Sequence, residues 1–332
     1  MYAVALPRSK SALTAGFTLI ELSIVLVIIG LIIGGILVGQ DLMNAAAIRA
    51  QIAQIDKYNT AVNAFKLKFN ALPGDMNAAT ATAFGFTARG AFAGQGDGNG
   101  VIEGVWGNGA SSNYGSITFG GETQIFWVDL TTANMVDGGF SQNNMLARPA
   151  SVTAAQVSLY YPAAKIGNGN YIFVWSGGWL ALAGVQGKSD GVNYFSLEAV
   201  VGSPAGLVGV PAANTTLTVQ QAYNIDSKID DGLPQSGRVM AMYLAKGWAC
   251  GGANDPVGGQ QNSGDFDNQV GSANYLGPIT PQTVTPYYSH TTGGVAFKDT
   301  CYNNGDTLAS EHYSMEYNGG RGQNCMLSFK FQ

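Results

Sequence analysis

The chain has 332 residues with 21 acidic against 16 basic side chains, a formal net charge of −5 at pH 7 and an isoelectric point near 4.9. That balance argues against a nucleic-acid partner, whose phosphates demand clustered Lys and Arg. Only 11% of residues are charged, yet 15 Tyr, 15 Phe and 5 Trp supply far more apolar surface than a disordered chain carries.

Residues 1–16 carry Arg8 and Lys10 and no acid. Positive charge there favours keeping this end in the cytoplasm and sending the remainder outward. From Phe17 to Gly39 the only charged residue is Glu21, and the run is long enough to cross a bilayer as a helix, which needs about 20 residues. A lone carboxylate inside hydrocarbon costs about 2.5–3.5 kcal/mol on insertion scales, so it is normally there for a partner. Gly30/Gly34 and Gly35/Gly39 form two small-xxx-small pairs, which let helix backbones approach closely in lipid. A secretory signal places small residues after its apolar core, whereas here Thr14, Ala15 and Gly16 precede it. A plain anchor accounts for the length of the run but not for Glu21.

The stretch Gly16-Phe17-Thr18-Leu19-Ile20-Glu21 with its unbroken apolar tail resembles the class III signal of type IV pilins and type II secretion pseudopilins. The resemblance implies that a prepilin peptidase cuts between Gly16 and Phe17 and that the new N-terminal Phe17 is methylated. Glu21 would then neutralise the N-terminal amine of a neighbouring subunit. It also implies insertion in the inner membrane with the head outside the cytoplasm, then passage into a pilus or a periplasmic pseudopilus. The implied partners are other pilin or pseudopilin subunits, an inner-membrane assembly platform with its ATPase, and the lipid bilayer. Many family members have a proline where this chain has Val38.

Beyond the apolar run, Ile48, Ile52, Ile55, Val62, Phe65, Phe69 and Leu72 recur at helical spacing, while Arg49, Gln51, Asp56, Lys57 and Lys66 mostly lie off that stripe. Pro73-Gly74 ends the pattern. The expectation is one helix from about 17 to 71, its segment 17–39 in lipid and its segment 40–72 outside, against a head spanning 73–332. With its glycine-rich, turn-rich composition the head reads as β-rich. The fold class expected is α+β and pilin-like.

Within the head, Tyr171–Trp175 and Trp179–Leu182 flank Ser176-Gly177-Gly178 and read as a hairpin. Arg238–Leu244 and Cys325–Phe331 read as strands. The stretch 121–130 reads as a helix with Ile125, Val128 and Leu130 inward. Thr218 to Asp230 reads as a helix opened by a Thr218…Gln221 capping box. Leu72-Pro73-Gly74-Asp75, the glycine tract 96–100, Glu122…Phe126-Trp127 and Ile225–Pro234 with Ser236-Gly237 extend the resemblance to a group of large pilin-like proteins.

Gln95–Glu103 carries the strongest chemical motif. Set against a calcium loop of the EF-hand kind, Asp97 and Asn99 occupy the third and fifth positions, Val101 offers the seventh-position carbonyl, and Glu103 stands in for a missing carboxylate. Gln95 and Trp106 occupy the first and last positions, where strong carboxylates would sit. The competing reading is a turn in which Asp97 and Asn99 cap their own backbone. Asp226, Asp230 and Asp231 form a second acidic group, for which a salt bridge to Arg238 is expected in preference to a metal.

No Gly-x-Ser-x-Gly elbow, phosphate loop or zinc spacing occurs, and the histidines are His290 and His312, so no catalysis is expected. An exported location permits disulfides among Cys250, Cys301 and Cys325. Loop length alone leaves all three pairings open. The terminal strand's need for an anchor, with the pilin resemblance, favours Cys301–Cys325 and leaves Cys250 reduced. A membrane-tethered or pilus-tip adhesin with a calcium-dependent head is the alternative to a structural subunit.

Overall fold

The computed structural model describes residues 18–92, 94–105, 113–114, 120–140, 152–176, 181–182, 185–186, 192–202, 212–214, 216–234, 236–241, 301–303, 312–313, 315 and 318–331. Gly16, Phe17, Trp106, the Gly177–Leu180 turn and strand start, the Met242–Leu244 strand end, Cys250 and His290 lie outside them.

The first element, α1 (Leu19–Phe69), matches the helix expected from the periodicity to within two residues at each end. Thr18 opens it and Asn70, at φ 51, closes it, with Lys66 and Lys68 in its last turn complementing the helix dipole. The chain divides into two units, Met1–Ala46 and Ala47–Gln332, and α1 runs through the boundary. In the first unit the large side chains from Leu19 to Met43 are exposed, and the helix is long and apolar enough to cross a membrane. A Cβ added at Gly30, Gly34, Gly35 or Gly39 would meet nothing within 4 Å.

In the second unit the predicted stripe is the buried one: Ile48, Ile55, Val62, Phe65, Phe69 and Leu72 are buried and Ile52 is half-buried against them. Gln51, expected off the stripe, is buried. The physical reason is that the loop after residue 162 offers unpaired backbone donors. The Ile166 N–H donates to Gln51 Oε1 at 3.1 Å, the Lys165 N–H donates to Gln54 Oε1 at 2.9 Å, and Gln54 Nε2 donates to the Ala163 carbonyl.

Three further helices follow. α2 (Ala78–Phe84) is capped by Asn77 and ends at Gly85; its Phe84, with Phe86, packs on Phe69 at the end of α1. α3 (Glu122–Thr132) buries Ile125 and Leu130 as expected, but Val128 only partly. α4 (Val219–Ile229) opens with the predicted Thr218–Gln221 capping box.

The strands pair antiparallel: β1 (Gly104–Val105) with β2 (Asn113–Tyr114), β4 (Ala181–Leu182) with β5 (Val185–Gln186), β8 (Leu217–Thr218) with β12 (Gln323–Cys325), and β10 (Tyr302–Asn303) with β11 (His312–Tyr313). The main sheet joins β3 (Asn170–Ser176), β6 (Asn193–Gly202), β13 (Leu327–Lys330) and β9 (Val239–Ala241) in that order, with β7 (Ala212–Asn214) on β6. The fold class is therefore α+β, as expected.

The hairpin expected around Ser176 is corrected. β3 pairs along its length with β6, from Asn170↔Ala199 to Ser176↔Asn193, and Ala181–Leu182 pairs with Val185–Gln186. Sequence proximity suggested the nearer partner. The long alternating strand β6 instead supplies Phe195 and Leu197 beside Val174 and Ile172 on one face, and Tyr194 stacked on Trp175 at 4.6 Å on the other. The first of these faces meets α1 and α3: the Tyr58 ring lies 4.9 Å from Trp127 and 6.0 Å from Phe195. Strands are read at Val239–Ala241 and Leu327–Lys330, inside the stretches expected.

Candidate functional site

Two groups of side chains stand out, one in each unit. In the first, Glu21 is the only charged side chain between Leu19 and Gly39, on a helix surface whose one other polar side chain is Ser23. Burying a Leu, Ile or Val side chain is worth about 1.5–3 kcal/mol relative to water, so leaving this surface in water is costly, and the helix is long and apolar enough to cross a membrane. Thr18 and Glu21 form a reciprocal cap. The Thr18 N–H and hydroxyl each donate to Glu21 Oε2 at 2.8 Å, and the Glu21 N–H donates back to the Thr18 hydroxyl oxygen at 3.3 Å. One carboxylate oxygen is thus held by the helix terminus, and Oε1 meets no hydrogen-bond donor among the described residues. Such an acid can accept a cation on its remaining oxygen while its orientation stays fixed. Gly16 and Phe17, the processing pair, lie outside the described residues.

The second group is built on the glycine tract. Gly96, Gly98 and Gly100 take positive φ of 87°, 79° and 88°, which turns successive backbone N–H groups to one side. Those donors converge on two carboxylates that come from elsewhere in the chain. The Gly98 and Asn99 N–H groups donate to Asp75 Oδ1 at 2.8 and 3.2 Å, and the Gly100 N–H to Asp75 Oδ2 at 2.7 Å. The Gly96 N–H donates to Glu122 Oε1 at 2.8 Å and the Glu103 N–H to Glu122 Oε2 at 2.9 Å. The loop is pinned to the sheet by Asn193, whose Oδ1 accepts the Ile102 N–H at 2.7 Å, and by Ser176, whose hydroxyl donates to the Ile102 carbonyl at 2.6 Å.

The four expected calcium ligands are placed differently from one another. Asp97 and Asn99 are exposed, Val101 is half-buried and Glu103 is buried. Asp97 Oδ1 accepts the Asn99 N–H at 3.0 Å and Asn99 Oδ1 accepts the Val101 N–H at 2.7 Å, so both side chains cap their own turn. Asn99 Nδ2 reaches Asp97 Oδ2 at 3.2 Å and Glu103 Oε2 at 3.4 Å. Of the four, Asp97 joins a cluster of carboxylates: oxygens of Asp75, Asp97 and Glu122 lie within 4.8 Å of one another.

Asp75 and Glu122 were not among the expected ligands. The signal that could have found them was present, since each sits in a motif that carried the resemblance beyond the glycine tract. Burial pushes the Asp75 carboxyl up to about 7; the Gly100 and Gly98 N–H groups oppose that rise and the charge of Asp97 adds to it. Burial, then the neighbouring Asp75, raises Glu122 well above the ordinary carboxylate range. Three acids this close can share a proton or hold a cation between them.

Arg89 and Asp129 brace the same corner. Both side chains are buried, Arg89 Nη2 lies 2.5 Å from Asp129 Oδ2, and Arg89 Nε donates to the Met76 carbonyl. Asp129 Oδ2 also accepts the Gly74 N–H at 2.7 Å. Burial raises the Asp129 carboxyl to about 6, against the opposing pull of the Arg89 charge and the Gly74 N–H. Gly74, at φ 85°, sits against α3 so closely that a Cβ there would fall 2.4 Å from the Glu122 carbonyl oxygen.

At the second acidic group the ion pair expected with Arg238 is corrected. The Arg238 backbone N–H, rather than its guanidinium, donates to Asp230 Oδ2, which also accepts the Val239 N–H at 3.3 Å. The backbone reaches Asp230 because the chain reverses sharply between α4 and β9, leaving the side chain outward. Asp231 accepts the Leu233 N–H at 2.9 Å and the Ser236 hydroxyl at 2.6 Å. Asp226 is buried, accepts the Tyr313 hydroxyl at 2.8 Å, and is raised to about 7 chiefly by burial. Cys301 and Cys325 form the predicted disulfide, with Cα atoms 4.9 Å apart.

Comparison with family models, with curated proteins and with solved structures finds no match for this chain.

Proposed function

We propose that the chain is a structural subunit of a type IV pilus or type II secretion pseudopilus. It is cut by a prepilin peptidase after Gly16 and polymerised through α1. The observation that carries this reading is Glu21, a single carboxylate on an otherwise uncharged and fully exposed helix surface. Its desolvation cost needs an offsetting cation, and the amine of a neighbour freed at Phe17 supplies one. The open Gly30/Gly34 and Gly35/Gly39 faces support close approach of helices. Partners in this reading are other subunits, the assembly platform with its ATPase, and the bilayer. No catalytic step is assigned to the head. Replacing Glu21 by Ala should leave export and membrane insertion intact and lower incorporation into filaments at least tenfold, measured by quantitative blotting of sheared filaments against membranes. Wild-type incorporation of that variant would remove the assembly role.

A second reading gives the head a calcium-dependent binding role. It is favoured by the convergence of Asp75, Asp97 and Glu122, three acids held together at a cost that a divalent cation would offset. Calorimetry on the full-length chain in detergent tests it: binding that weakens in Asp97→Ala supports the reading, and no heat at millimolar calcium removes it.

A further inference from the structure

A groove of about 200 Å³ opens between the soluble half of α1 and the end of α4. Its walls include the apolar Ile52 and Phe329, and its charged lining is three cations, Lys228, Arg238 and Lys330, against one acid, Asp56. All three cations are exposed. The ion pairs among the described residues are Lys57–Asp137 and Arg89–Asp129, so none of the three is neutralised there. The acids nearest in sequence are otherwise engaged: Asp230 by backbone N–H groups, Asp231 by Leu233 and Ser236, and Asp226 by Tyr313. Among the described residues, a chain with a net charge of −5 thus gathers three cations that form no ion pair at one concave, partly apolar place.

We infer that this groove docks an exposed carboxylate of a second copy of the chain. The inference rests on the polymerisation reading above. Three observations select that occupant. The cavity has room for a side chain, not for a folded element. The chain carries an excess of acids, and Asp41 and Asp97 are exposed. The groove is lined by α1, the same helix whose apolar half requires neighbours. Copies associated through that half keep their heads on one side of the bilayer, which supplies the neighbour's acids at high effective concentration. The contact is exposed at its rim, so it weakens as salt rises.

The test uses the full-length chain in cells that assemble it. The triple variant Lys228→Glu/Arg238→Glu/Lys330→Glu should lose incorporation at least tenfold, Lys228→Arg/Lys330→Arg should retain it, and membrane insertion and disulfide content should match wild type in both. To guard against a folding defect, a photo-crosslinking residue at Asn59, which lines the groove, should trap a second copy, with the joined peptide carrying an acid. Wild-type incorporation of the triple variant, or a crosslink only to lipid or to a different protein, overturns the inference. If Glu21→Ala blocks incorporation while the triple variant assembles normally, the groove inference alone falls. If both assemble normally, or the wild-type chain does not associate, the polymerisation reading falls with it.

Discussion

Asp75 and Glu122 bring carboxylate oxygens within 4.8 Å of each other and of Asp97, although one acid follows the end of α1 and the other opens α3. A single loop of backbone N–H groups cradles both. The glycine tract thus serves first as a receptor for the chain's own acids, and any cation would enter a site already organised around them.

That arrangement sets the sign of the pH dependence. Asp75 is raised to about 7 and Glu122 well above its ordinary range, whereas both titrate near pH 4 in an unfolded chain. Between those values the folded state holds protons that the unfolded chain has released. Stability is therefore fullest below about pH 4 and falls as pH rises through about 7. Asp226, at about 7, and the buried Glu198, at about 8, act in the same direction. Thermal unfolding of the full-length chain from pH 4 to 8 should show a falling Tm. The slope should flatten in Asp75→Asn, and in wild type with saturating calcium if the cluster binds it. A Tm that rises over this range contradicts the assignment.

Loss of the buried brace should be costly. Arg89→Ala leaves Asp129 as an uncompensated buried charge, and breaking such a pair costs about 3–5 kcal/mol. Replacing both partners by apolar residues, as in Arg89→Met/Asp129→Leu, should cost less than either single change. Denaturant unfolding of the three variants checks the order, and a single variant as stable as wild type would show that the pair carries little.

The disulfide ties the Cys301 segment to β12. Its loop is short, and closing one of this size is worth about 3 kcal/mol in the chain-entropy description. Cys301→Ser/Cys325→Ser should lower stability by about that amount and raise protease sensitivity near the C-terminus. Non-reducing peptide mapping of exported protein should give the Cys301–Cys325 peptide as the main species and Cys250 as a free thiol; a Cys250 disulfide as the main product would refute the second half of that statement.

Processing is checked by mass. The mature chain should begin at Phe17, methylated, when an active prepilin peptidase is present, and should keep residues 1–16 when it is absent. A purified subunit that keeps its first sixteen residues in cells with active peptidase would exclude the proposed cut.

What the sequence alone determined was local. The span of α1, its buried stripe, the Thr218 cap of α4 and the alternating terminal strand follow from periodicity and from side chains that act within one turn of themselves. The choice of Cys325 as an anchor rested on the terminal strand together with the pilin resemblance, since loop length left the three pairings open. What only the tertiary structure decided depends on partners far away in the chain. β6, rather than the nearer segment, pairs with Tyr171–Ser176 because its length and alternation match on both faces. Gln51 is buried because a loop more than a hundred residues on presents a donor to it. Asp97 meets Asp75 and Glu122 because three glycines turn the backbone toward acids that packing of α3 against the end of α1 brings together. Spacing encodes which face of an element is apolar; it carries no record of which distant polar group waits on the other side.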